Sequence, residues 1–162
     1  MTSSMMFEKG CHGLESLSGY PVLAAFSDRS FNLRFEEDLS DLQDDRRLFS
    51  QMAGFPLENL VCMEQIHGAN IVLVEGEMKG KGALTRASAL AKADGVITRE
   101  RGIPIGAMTA DCGSVFFYDP KKQAIGIAHV GWRGLFNKLP QKMIAAFSGN
   151  FLSRPEDLCI AF

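Results

Sequence analysis

Between residues 94 and 130 four apolar runs follow one another with little but turn and charged residues between them: "DGVIT" (94–98), "GIPIGAMTADC" (102–112), "SVFFYD" (114–119) and, after the turn residues "DPKK", "QAIGIAHV" (123–130). Short runs of branched and aromatic side chains bounded by Gly, Asp and Pro read as strands, so sheet dominates the middle of the chain. Upstream, "GYPVLAAFS" (19–27), "SFNLRF" (30–35), "NLVCMEQIHG" (59–68) and "NIVLVE" (70–75) read the same way. Residues 76–93 mix Gly, Lys and Ala and are expected to form a surface loop leading to a short helix. The Asp/Ser-rich "EEDLSDLQDD" opens a helix with Leu39, Leu42, Phe49 and Met52 on one face, closed by Gly54 and Pro56. A second helix carries Leu135, Leu139, Met143 and Phe147 at helical spacing, with Pro140 starting or kinking it. The class is mixed α and β. No internal repeat or linker divides it, so residues 1–162 are expected to form a single domain, with 1–18 a loose N-terminal segment.

Composition narrows the function classes. A chain of 162 residues, 46% hydrophobic and 22% charged, matches one soluble domain. Its net charge of −2 offers no basic surface for nucleic acid or an anionic membrane. No run approaches the ~20 apolar residues of a spanning helix, and "MTSSMMFEKG" lacks the basic-then-apolar order of a signal peptide. A cytoplasmic location is expected, where Cys11, Cys62, Cys112 and Cys159 are thiols and not a disulfide frame.

Three strand ends hold side chains able to ligate a metal: His67 in "QIHG", Cys112 in "TADC" and His129 in "AHVGWRG". Their separations fit no compact zinc-finger pattern, so only the fold can bring them together. Three such ligands would leave a fourth zinc position open, the mark of a catalytic site. Gly68 and Gly131 follow two of them and allow sharp turns and close approach. The same residues admit a metal-free reading, with Cys112 as nucleophile and His129 as its base. A buried core thiol and structurally satisfied histidines are the plainer alternative, and Trp132 reads as a packing residue.

The motifs "QIHG", "ADGVIT", "TADC" and "HVGWRG", in this order, resemble those of the YfiH family, also called the laccase-domain or multicopper polyphenol oxidoreductase family. The resemblance implies an α+β fold, an α/β/β/α layered sandwich with mixed sheets, and a metal on His67, Cys112 and His129. It further implies phosphorolysis of purine nucleosides (adenosine, inosine, guanosine, methylthioadenosine) and deamination of adenosine, while the older label implies copper and phenol oxidation. Three histidines are too few for several copper centres, which favours zinc over copper. In zinc deaminases a separate acid moves protons, and Asp111 is the candidate, with capping a turn as its alternative. A guanidinium suits phosphate, and Arg133 is the candidate there. Arg29 and Ser30 match the family's substrate-contacting Arg and Ser, within a compressed "AFSDRSFNLRF". The chain reaches "LCIAF" where the family enters a Gly/Pro-rich turn and continues, so a member incomplete at the C-terminus is expected, with exposed strand edges that a homodimer would cover. The expected partners are a purine nucleoside and phosphate, with a non-catalytic binding domain as the remaining alternative.

Overall fold

A helix over Leu139–Phe151 and the hairpin it covers organise the molecule. The structure, a computed structural model, describes residues 10–14, 17–34 and 40–162, with backbone only for 40–43. Strands β1 (Cys11–Gly13) and β2 (Ala25–Ser27) pair antiparallel. Helix α1 (Ser40–Ala53) follows, then β3 (Val61–Cys62), β4 (Ile71–Leu73), β5 (Gly95–Thr98), β6 (Ile105–Gly106), β7 (Gly113–Asp119) and β8 (Ala124–Val130). Helices α2 (Trp132–Phe136) and α3 (Leu139–Phe151) and strand β9 (Cys159–Ala161) complete the described elements.

The main sheet has the order β4-β5-β8-β7-β9; β4 and β5 run parallel and the remaining pairs antiparallel. Asp119 closes the β7–β8 turn by accepting the backbone N–H groups of Lys121 (2.8 Å) and Lys122 (3.0 Å), which is why "DPKK" turns there. A smaller parallel pair joins β3 to β6. Period-two alternation divides β8 between two cores: Ala124, Ala128 and Val130 join Leu139, Met143, Phe147 and Phe151 of α3, while Ile127 joins Val61, Met63, Leu90 and Val96 on the other face.

These mixed sheets with a few helices are the α+β class expected. Several elements differ from the sequence reading. The N-terminal segment is not loose throughout: Cys11–Gly13 is a paired strand, with Cys11 and Leu17 buried, whereas residues 1–9, 15 and 16 lie outside the described residues. Strand structure in 19–27 is confined to Ala25–Ser27, and 30–34 carry none because Ser30 N–H turns back onto Asp28 Oδ1 at 2.8 Å. Leu39 and the Leu42 side chain lie outside the described residues. The single helix expected after residue 131 is two, split where Lys138 takes a left-handed backbone (φ 59°) ahead of Pro140; Leu135 sits on α2 and is exposed. The loop at 76–93 contains single 3-10 turns, Gly76–Met78 and Arg86–Ser88, in place of a short helix. No helix among the described residues is long and apolar enough to cross a membrane.

Candidate metal centre

One end of the main sheet gathers the chemistry. The register Ser114↔His129 sets the residue before β7, Cys112, beside the end of β8. The pairings Gly95↔Ala128 and Ile71↔Gly95 then bring Asp94 next to His129 and the turn before β4, which carries His67, next to Asp94. Four adjacent strands thus deliver His67, Asp94, Cys112 and His129 to a single edge. One ligand atom each from His67, Cys112 and His129 lies within 4.8 Å of the other two, and the two imidazoles meet edge to face at 4.8 Å between centroids. A tetrahedral ion with bonds of about 2.0–2.3 Å spaces such donors by roughly 3.3–3.6 Å, so two imidazole nitrogens and a thiolate at this separation fit a metal after small side-chain rotations.

Asp94 is wholly buried and takes its partners from both sides of the site. Its Oδ1 accepts the His67 N–H at 2.8 Å and lies 3.1 Å from His129 Nδ1; its Oδ2 accepts the Gly68 N–H at 2.8 Å and that of Ile66 at 3.4 Å. His129 is itself buried, and its backbone N–H donates to the Asp94 carbonyl at 2.8 Å. His67 has a left-handed backbone (φ 59°), which histidine tolerates better than most residues. Gln65 fixes the approach of the two ligand-bearing segments: its side chain donates to the Met108 carbonyl at 2.6 Å and accepts the Met108 N–H at 2.8 Å. Neither Asp94 nor Gln65 stood out in the sequence beyond its place in "ADGVIT" and "QIHG"; an acid just ahead of a strand is the one signal that could have pointed to Asp94.

His67, Cys112 and His129 line a cavity of about 370 Å³ together with Asp111, Glu64, Arg34 and Arg86. Asp111 is therefore beside the ligands, exposed at the cavity wall. Arg133 is not among the lining residues: it is exposed on α2, its guanidinium 5.2 Å from the Trp132 ring centroid. Trp132, expected to pack, is 74% exposed. A larger cavity of about 760 Å³ shares Arg34, Met108 and Ala110 with the first and is lined by Arg29 but not Ser30. Ser30 serves Asp28, whose carboxyl is held down at about 2 chiefly by the His12 side chain and also by the Ser30 backbone N–H. Cys62 lies in the core, where burial pushes its thiol up to about 11.

Residues 21–162 match the model of the family described as multi-copper polyphenol oxidoreductase laccase. The chain belongs to that family. It is 32% identical over 149 residues to the purine nucleoside phosphorylase YlmD of Geobacillus stearothermophilus, covering 92% of this chain and 54% of that protein. The crystal structure of YlmD from the same organism superposes with a TM-score of 0.76 at 33% identity, over 80% of this chain and 48% of that one. A third member, adenosine deaminase RL5 from an unknown prokaryotic organism, is 26% identical over 108 residues, covering 67% of this chain and 41% of that protein. The chain spans about half the length of these laccase-family relatives.

Proposed function

We propose that this laccase-family chain carries the metal centre of a purine nucleoside enzyme, with zinc on His67, Cys112 and His129, acting in phosphorolysis of nucleosides and deamination of adenosine. The observation that carries the proposal is the convergence of three ligand atoms within 4.8 Å at the wall of a cavity; the names of the YlmD and RL5 relatives supply the substrate class. Zinc is favoured over copper because the chain has three histidines and the third, His12, is paired with Asp28. A zinc ion held by three protein ligands supplies Lewis acidity at a fourth, open position.

The chain's own residues supply the rest. In phosphorolysis a phosphate oxygen bonds the ribose anomeric carbon as the bond to the base breaks; in deamination water replaces the exocyclic amine and ammonia leaves. Asp111, at the cavity wall, moves the proton that the departing base or amine requires. Guanidiniums hold phosphate by paired N–H donors. Arg34 and Arg86 line the cavity and are proposed for that task together with Arg133, which must leave its stacking on Trp132 to reach it. Arg29, in the wider adjoining cavity, and Ser30 beside it are proposed to contact the nucleoside.

A second reading rests on the Asp94–His129 contact, since acid, imidazole and thiol in series also describe a cysteine hydrolase. The third donor, His67, has no use in that arrangement. Metal analysis of the purified chain, followed by product analysis with adenosine with and without phosphate, tests both. Zinc at about one per chain is expected, with adenine released only when phosphate is present and inosine formed without it. Alkylation of Cys112 should accelerate after chelation, because a bound metal occupies the thiolate; equal rates in both states favour the hydrolase, and copper with phenol oxidation overturns the zinc assignment.

A further inference from the structure

Three N–H groups and one imidazole nitrogen converge on one buried carboxylate at the site. The N–H groups come from the backbone at Ile66, His67 and Gly68 and the fourth position is His129 Nδ1. An ionised carboxylate accepts hydrogen bonds and donates none, so the His129 ring completes this set only with its proton on Nδ1. Its other nitrogen, Nε2, then has a free lone pair. The same carboxylate holds the turn of 66–68, so the left-handed backbone of His67 is tied to the residue that orients His129. Asp94 also accepts nothing from solvent: it is 0% exposed, and it lines neither of the two cavities described above.

We propose that Asp94 is the positioning residue of this centre, presetting His129 through its tautomer and His67 through its turn before any ion arrives. Asp94 touches neither substrate nor ion; it acts through the two histidines. The proposal rests on the metal reading above only in naming what the histidines hold. Carboxylates that orient ligating histidines commonly contribute ten- to a hundredfold in metal affinity.

Asparagine at this position keeps the size of the side chain but offers one acceptor and one donor in place of two acceptors. With its amide nitrogen toward His129, the ring must present an unprotonated Nδ1 and carry its proton on Nε2, where the lone pair was; with the amide reversed, the Gly68 and Ile66 N–H groups lose their acceptor. Either way the set is weakened, at the His129 ring in the first case and at the turn that carries His67 in the second. The test begins with the metal-free parent, in which two-bond ¹H–¹⁵N correlations at a pH where imidazoles are neutral report the tautomer of each ring. His129 is expected as the Nδ1–H form, and an Nε2–H form in the parent overturns the proposal whatever any variant does. Asp94→Asn, shown folded by circular dichroism, is then expected to lose the Nδ1–H signature or to bind zinc about ten- to a hundredfold more weakly in competition with a chromogenic chelator. Retention of both the tautomer and the affinity overturns it. Cys112→Ala in the same titration keeps the two ideas apart: zinc bound as tightly as by the parent defeats the metal reading, while the tautomer result still decides the role of Asp94.

Discussion

Gly131 shows how narrow the margin at the ligands is. A β-carbon there would sit 2.7 Å from Cys112 Sγ and 3.8 Å from His67 Cδ2, so the absence of a side chain is what lets the thiol lie between the two histidines. The obstructed atom is the tip of a flexible side chain, and the strain of Gly131→Ala is relieved by rotating the thiol away. We expect that variant to melt close to the parent while its zinc affinity falls about tenfold or more, read by chelator competition and thermal denaturation; loss of stability with unchanged affinity would contradict the geometry. At this scale the sequence was most informative where chemistry and motif coincide. His67, Cys112 and His129 were legible because each lies in a distinctive motif, and the fold brings all three together, from the turn before β4, the residue before β7 and the end of β8. Asp94 was not, since an aspartate ahead of a strand has the same appearance whether it caps a turn or receives N–H groups from elsewhere. Arg34 and Arg86 were missed for a related reason: which guanidinium faces a cavity depends on how distant segments pack.

Helix α3 is seated on glycine. It contacts the sheet over Gly95 and Gly126, where added β-carbons would meet Met143 Sδ at 2.7 Å and Phe147 Cε2 at 2.8 Å. Phe147 is fully buried there, against Phe117 at 6.1 Å and Phe151 at 5.5 Å between centroids. Gly126→Ala should therefore act as overpacking and cost about 1–3 kcal/mol, measured by urea denaturation, without altering zinc content, because Gly126 lies away from the ligand end of β8. Its partner residues also explain which elements were readable. Leu139, Met143 and Phe147 were identified as one face, and all three are buried; Leu135 fitted the same period but falls beyond the break at Lys138, a left-handed residue that periodicity cannot reveal. Strands β5, β7 and β8 were recovered nearly whole because alternation and branched side chains agree with burial. The apolar stretches 19–27 and 59–68 were overextended, because apolar content alone cannot distinguish a strand from irregular chain lying on a core.

For the molecule as a whole, the three proposed ligands arrive from widely separated parts of the sequence and meet only in the folded state. An ion that binds the native chain and not the unfolded one stabilises it by mass action, about 2.7 kcal/mol at a hundredfold excess over Kd. For a domain of this size that corresponds to a rise in Tm of roughly 5–10 °C. Differential scanning calorimetry with zinc and with chelator checks this, and an unchanged Tm would mean that the three side chains do not hold metal in the native state.

That convergence also gives the backbone a topology it would otherwise lack. His67 lies on one side of the exposed turn Leu84–Ser88, and Cys112 and His129 lie on the other. With an ion in place, the polypeptide between residues 67 and 129 becomes a pair of closed rings sharing one knot point. A peptide bond hydrolysed in that turn would then release no fragment: β4 on the first piece remains laddered to β5 on the second, and the ion holds His67 of the first piece to Cys112 and His129 of the second. The centre proposed for chemistry is thereby also a clasp across an exposed segment of the chain.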